Sequence, residues 1–302
     1  MGKVSVVISA FNEEKKIKAC LESAKWADEI IVVDNSSYDK TADIAKKFTK
    51  RVYIQKNDPE KIDLQKNFGI QKATGDWIFI LDADEIITPE LESEIRQVIS
   101  NDSVAGFWVP RKNMIFNKWI QHSGWYPDYQ LRLFRQGKGK YESQHYHEPL
   151  TVSGTTEKLT AHLVHHNYES VAQFLHKNLE TYAPNEADEL LRKGYSFHYL
   201  DVIRFPLKEF ISRYFARQGY KDGLHGLVLS LLMAVYHFVI FLYLWEKKSF
   251  IEVSSEEVDK GLGQLVEKTK KEFEYWLHDK KIENEKNDVK KFFLKLERKL
   301  DL

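Results

Sequence analysis

The feature that most constrains this chain is the alternation of two periods over residues 1–100. Short apolar runs rich in β-branched residues fall at 4–9, 29–33, 51–55 and 77–81 and read as strands. Between them, residues 13–24, 38–48 and 62–73 read as helices, the first with Ile17, Cys20, Leu21 and Ala24 on one face. Gly75 supplies a stop. The run 77–81 has no polar alternation, which predicts burial on both faces. Strand–helix alternation of this kind implies an α/β fold, a mainly parallel sheet with helices on both faces. Ligands of such sheets bind at the carboxyl ends of the strands. Three of the four runs end in polar or acidic residues: Asn12-Glu13-Glu14, Asp34-Asn35 and Asp82-Ala83-Asp84-Glu85.

Composition excludes several classes. Lys+Arg and Asp+Glu are both 45, so the formal charge is zero and no nucleic-acid partner is expected. A single cysteine, Cys20, excludes a disulfide framework and a Cys-based zinc site. The strand-length run at residues 4–9 meets Asn12-Glu13-Glu14 at once and leaves no leader pattern, so folding in the cytoplasm is the expectation.

Asp82 and Asp84 flank a small residue at a strand end, where two carboxylates can hold a hard divalent cation, Mg²⁺ or Mn²⁺. The same triplet also suits a plain acidic loop or a cap for the helix that starts near Pro89. Asp34, ending the second strand, suits either a hydrogen bond to a nucleotide or the start of a helix, where the dipole favours a carboxylate.

Four ordered segments carry a resemblance. They are Val6-Val7-Ile8-Ser9-Ala10-Phe11-Asn12-Glu13-Glu14, Glu29 through Thr41 with its Asp34-Asn35-Ser36-Ser37, Asn67-Phe68-Gly69-Ile70, and Ala73 through Glu85. Together they resemble the family 2 glycosyltransferases of GT-A fold. Later segments, Tyr129-Gln130-Leu131-Arg132-Leu133-Phe134-Arg135, His147-Glu148-Pro149-Leu150 and His165-His166-Asn167-Tyr168, are similar to a bacterial subgroup. That subgroup includes lipopolysaccharide-core glycosyltransferases with β-1,4-glucosyl transfer. The resemblance covers roughly residues 1–220, and the tail beyond Trp245 matches no family pattern.

The resemblance implies a role for each matched residue. Asp34 contacts the base of a nucleotide sugar, a UDP-sugar, while Phe11 and Glu13 line the nucleotide. Asp82, with Ala83 beside it, approaches the ribose or the metal, and Asp84 ligates the metal that bridges the diphosphate. Family members invert the anomeric centre by direct displacement, which needs one general base. Glu148 is the first candidate and Asp128 the second; a surface carboxylate paired with Arg132 or Arg135 is the plainer reading of Glu148. Arg132 shares a strand face with Gln130 and is placed to stabilise the leaving diphosphate, or else lies on a solvated face. His165 is a metal ligand, a supporting group or a structural histidine. Trp108, Trp119, Trp125, Tyr126 and Tyr129 form an acceptor platform or part of the core.

The expected organisation is a GT-A-like catalytic domain over 1–195, split at residue 100 into nucleotide and acceptor halves. Amphipathic and apolar helices follow over 196–250, and a charged helical tail over 251–302. Residues 207–221 read as a basic amphipathic helix. Residues 224–245 contain no Asp, Glu, Lys or Arg. As a helix they reach about 33 Å, so they lie in a membrane interface, span a bilayer or form a buried helix. The tail reads as a packing or partner-binding element, one route to a homo-oligomer. The function expected is metal-dependent inverting transfer from a nucleotide sugar to a cell-envelope glycan or lipid-linked acceptor, at the inner face of the membrane. Alternatives are transfer to a polyprenyl phosphate or a protein side chain, and a non-catalytic nucleotide-sugar-binding scaffold.

Overall fold

The computed structural model describes residues 2–58, 63–142 and 149–300. They form two compact units. The first comprises Met1–Gln121 and Trp125–Glu169, the second His122–Gly124 and Ser170–Leu302. The division thus falls at Glu169, ahead of the expected boundary at 195, because the helical residues that follow belong with the second unit's helices.

The first unit opens with β1 (Val4–Ala10), α1 (Ile17–Ser23), β2 (Glu29–Asp34), α2 (Thr41–Ala45), β3 (Val52–Ile54), α3 (Lys66–Lys72) and β4 (Trp77–Asp82). It continues with β5 (Glu85–Ile87), α4 (Pro89–Val98), β6 (Gly106–Ile115), β7 (Lys118–Trp119) and β8 (Asp128–Arg135). The hairpin strands β9 (Gly139–Tyr141) and β10 (Leu150–Val152) pair with each other, and β11 (Thr156–Lys158) and β12 (Leu163–Tyr168) return to the main sheet. The sheet order is β3-β2-β1-β4-β8-β6-β12-β5. β3, β2, β1 and β4 are mutually parallel; β8 runs antiparallel between β4 and β6, and β5 antiparallel to β12. The sheet is mixed and mainly parallel, as the alternation predicts. Chain order reverses at β1, which lies between β2 and β4, so the crevice at a topological switch point opens at their carboxyl ends.

Strand periodicity feeds two cores. Val4, Val6, Ile8 and Ala10 pack with Ile17, Cys20 and Leu21 of α1 and Leu91 and Ile95 of α4. Val7, on the other face of β1, packs with Ile31, Val33, Ile78, Ile80 and Ile70 of α3. The helices begin later than the pattern predicts because their first residues are spent on turns. Asn12 is left-handed (φ 55°) and the Glu13 and Glu14 amides donate to Thr41 Oγ1 and Asp39, so α1 starts only at Ile17. The Asp39 carboxylate accepts the Thr41 amide, which delays α2 to Thr41.

The second unit is helical: α5 (Val171–Leu175), a π-helical stretch His176–Tyr182, α6 (Ala183–Arg192), α7 (Asp201–Ile211), α8 (Leu224–Lys247), α9 (Ser255–Asn284) and α10 (Asp288–Leu300). The helix expected over 207–221 instead starts at Asp201 and gives way to a π turn at Ser212–Ala216.

Gly69 shows how tightly α3 sits on the sheet. A Cβ there would lie 2.4 Å from Val7 Cγ1 and 3.0 Å from Val33 Cγ2. Gly69→Ala should therefore destabilise the first unit by about 1–3 kcal/mol through overpacking, read as a lowered urea midpoint at unchanged m.

Candidate active site

The carboxyl ends of β1 and β2 are laced together by their loops. The Asn12 amide donates to Ser37 Oγ at 2.9 Å, and Asn12 Oδ1 accepts the Tyr38 amide at 3.0 Å. Ser36, like Asn12, is left-handed (φ 60°). Asp34 ends β2 almost wholly buried. Its Oδ2 accepts the Ser37 amide at 3.0 Å, while Oδ1 is buried without a hydrogen-bond partner. A buried acceptor left unpaired costs about 1–3 kcal/mol, so this oxygen calls for a donor. Phe11 and Tyr38, in the loops after β1 and β2, stand exposed, ring edge to ring face, centroids 5.9 Å apart.

At the end of β4 the two expected metal carboxylates part company. Asp82 Oδ1 meets Lys66 Nζ at 2.8 Å and Oδ2 meets Arg132 Nη2 at 2.7 Å. Both cations are buried, and the ring of Tyr141 lies under Lys66 at 5.6 Å. Burial opposes ionisation of Asp82, but Arg132 and Lys66 outweigh it and hold the carboxyl well below the usual carboxylate range. The pair clamp expected of Asp82 and Asp84 is corrected here: a divalent ion on Asp82 would have to displace two positive side chains. Arg132 is corrected likewise. β8 is bulged at this point, with Leu131 and Leu133 opposite the adjacent Trp108 and Phe107, so simple alternation with Gln130 does not carry through Arg132. Its side chain is buried against Asp82 and Glu85 (2.6 Å) and offers no open fork to a diphosphate. Ala83 is buried in the turn and packs into the core of α1 and α4.

Asp84 points elsewhere. Its Oδ2 lies 3.6 Å from His165 Nε2. The tautomer of His165 follows from its neighbours. Asn113 Nδ2 donates to Trp125 O at 2.8 Å and to Asp128 Oδ2 at 3.1 Å. Its Oδ1 is therefore the atom facing His165 Nδ1 at 2.7 Å, and Nδ1 carries the hydrogen. Nε2 of the neutral ring then presents a lone pair to a carboxylate. Two acceptors face each other across a gap that takes one positive charge, a proton or a cation. Burial raises the Asp84 carboxyl, but when the proton sits on Nε2 its hydrogen bond and charge pull that carboxyl below its ordinary value. A histidine whose second nitrogen is fixed by a hydrogen bond is the usual form of a metal-ligating histidine. Asp84 and His165 thus fit a hard divalent ion that keeps waters and phosphates as its remaining ligands. No group of three or more His, Cys, Asp or Glu converges among the described residues.

Asp128, the second candidate base, is fully engaged. Oδ2 accepts from Arg111 Nε (2.9 Å) and Nη2 (2.6 Å) and from Asn113, and Oδ1 accepts from Gln130 at 2.8 Å. Despite partial burial, Arg111 holds its carboxyl below the ordinary value, which makes it a weak base. Glu148, the first candidate, and His147 lie outside the described residues. Glu13 lies in the turn before α1 and lends its carbonyl to the amides of Lys16 and Ile17. The aromatic group is partly structural. Tyr126, Trp119 and His162 pack together with a 2.8 Å Tyr126–His162 hydrogen bond, and Trp108 donates to Thr156.

Sequence reasoning missed Lys66, Glu85, Arg111 and Asn113. Glu85 is wholly buried, accepts the Asp82 amide at 2.9 Å and bridges Arg132 and Arg111. Its position in the acidic run after β4 was the available signal.

Comparison with known proteins now decides the class. Residues 5–151 match the family model described as Glycosyl transferase family 2. That segment is a family 2 glycosyltransferase domain. The expectation of a sugar-transferring enzyme holds. The chain is 27% identical over 248 residues to the lipopolysaccharide core biosynthesis glycosyltransferase LpsC of Rhizobium meliloti (strain 1021), covering 78% of this chain and 89% of that relative. It is 32% identical over 158 residues to the SPbeta prophage-derived glycosyltransferase SunS of Bacillus subtilis (strain 168), covering 48% of this chain and 34% of that relative. The crystal structure of S. aureus TarS 1–349 in complex with UDP-GlcNAc aligns over 82% of this chain and 92% of its own at 14% identity, with a TM-score of 0.43, too low to carry an argument. The family match ends at β10, so His165 of the transferase lies beyond it on β12.

Removing the Glu85 charge should leave Arg132 with Asp82 alone and Arg111 with Asp128 alone, two arginines of the transferase short of one buried carboxylate. Glu85→Gln is expected to lower unfolding free energy by about 3–5 kcal/mol in urea titration.

Proposed function

We propose that the transferase moves a sugar from a nucleotide-sugar donor, a UDP-sugar, to a glycan or lipid-linked acceptor of the cell envelope, with inversion at the anomeric carbon. The observation that carries this reading is the facing pair of Asp84 Oδ2, in the turn that follows β4, and His165 Nε2, on β12, 3.6 Å apart. The likeness to a lipopolysaccharide-core enzyme supports the choice of acceptor.

The residues divide the work. Asp34 Oδ1, buried and unpaired, takes an N–H of the base. The exposed rings of Phe11 and Tyr38 flank the nucleotide, with Glu13 in the same loop. Asp82, pinned by Lys66 and Arg132, sets the position of the turn that presents Asp84. Asp84 and His165 would hold Mg²⁺ or Mn²⁺, which when bound supplies Lewis-acid neutralisation of the departing diphosphate. Glu148 takes the proton from the acceptor hydroxyl as the new bond forms. Asp128 does not compete for that role, because Arg111 keeps it a poor proton acceptor.

A screen of nucleotide sugars for Mn²⁺-dependent hydrolysis, followed by transfer to membrane extract, tests the reading. A UDP-sugar should be consumed and label should enter an envelope glycan or lipid. Glu148→Gln should lower turnover by about 100- to 10,000-fold while donor binding stays intact. Asp84→Ala should abolish the metal-dependent rate. Full turnover in Glu148→Gln moves the base elsewhere, and full activity in Asp84→Ala removes the metal assignment.

A further inference from the structure

The second unit turns two apolar stripes to solvent. α10 carries Val289, Phe292, Phe293 and Leu296, each 40–65% exposed. At helical spacing these fall within about 100° of one another. Lys290 with Glu297 flanks the stripe on one side and Lys295 with Asp288 on the other. Arg298, on the opposite side of the helix, pairs with Asp279 of α9, and Glu297, at the border of the stripe, faces His278. The apolar side is the one left unpartnered.

α8 repeats the pattern without charge. Leu224, Leu231, Val235, Phe238, Leu242 and Trp245 are exposed and fall within about 80° at helical spacing. The other side is committed to protein: Gly226, Leu229, Met233, Ile240 and Leu244 are buried. Tyr236 donates to Glu186, His237 lies 3.7 Å from Glu209, and Lys247 pairs with Asp188 at 2.7 Å. α8 is the described helix long and apolar enough to cross a membrane. Crossing would carry Glu186, Glu209 and Asp188 into hydrocarbon with it, at several kcal/mol or a complete repacking.

We infer that the second unit docks on an anionic lipid surface, α10 as a basic amphipathic helix and α8 lying in the interface plane on its outward stripe. The charge pattern selects this occupant over a second copy of the chain. A helix seam in water is bordered by opposite charges that set register, whereas residues 224–245 have none. α10 carries Lys290, Lys291, Lys295, Arg298 and Lys299 against Asp288 and Glu297, so two copies would bring together helices of net charge +3, while anionic headgroups complement that charge. Trp245 with Phe250 edge-on, and Lys248 close by in the chain, matches the aromatic and basic residues found at a membrane interface. Two stripes plus lysines supply the double signal that stable surface attachment needs. The inference is independent of the transfer chemistry, since lipid binding is read without donor or acceptor.

The test is co-sedimentation of the full chain with phosphatidylglycerol–phosphatidylcholine vesicles against phosphatidylcholine alone. The wild type should sediment with the anionic vesicles and be released by salt and by alkaline carbonate. Lys290→Gln with Lys295→Gln should weaken binding about 25-fold, roughly fivefold per lysine. Phe292→Ser with Phe293→Ser should weaken it tenfold or more at an unchanged circular-dichroism melt. Wild type left in the supernatant with both vesicles overturns the inference. So does retention after carbonate, which means spanning. A dimer in light scattering that Phe292→Ser with Phe293→Ser dissolves overturns it too, because a second copy then covers the stripe.

Discussion

The site rests on one buried arrangement of charge: Asp82 held between Lys66 and Arg132, with Glu85 beneath them. Each of these side chains, left alone in this environment, would be costly to ionise; together they satisfy one another. They come from α3, β4, β8 and β5, elements that meet only in the folded sheet. The arrangement fixes the turn after β4 as rigidly as a core fixes a strand. It decides which oxygen of the acidic triplet is left to face the crevice.

That decision explains why an Asp-Ala-Asp triplet need not act as a symmetrical clamp. The first carboxylate is consumed by its two cations and serves position. The second faces a histidine whose proton has been assigned to the far nitrogen by Asn113, itself oriented by Asp128 and Trp125. Arg111 links the two halves, reaching both Glu85 and Asp128. A single hydrogen-bonded path thus runs from Lys66 to His165, and the lone pair at its end is directed at Asp84.

Much of this fold was legible in the chain. The four strand runs, their parallel winding and the acidic run after the fourth strand follow from hydrophobic period and local turn chemistry, which act over short stretches. Helix starts were less legible, because Asn12 and Asp39 commit the preceding residues to turns. Asp34 and Asp84 could be singled out because they end or follow strands. Lys66, Arg111 and Asn113 could not: their partners lie 16, 17 and 52 positions away, and no local pattern marks a lysine that will be buried. Arg132 was read as facing the site from its alternation with Gln130, but a bulge in β8 interrupts that alternation at Arg132. The 50 residues between it and Asp82 hid the partner that covers it.

Pulsed electron paramagnetic resonance of Mn²⁺ bound with UDP tests the central claim most directly, because it reports the atoms that touch the ion. Coupling to an imidazole nitrogen should appear in the wild type and vanish in His165→Gln. Bound Mn²⁺ with no nitrogen coupling in the wild type, or coupling that survives in His165→Gln, would contradict the account.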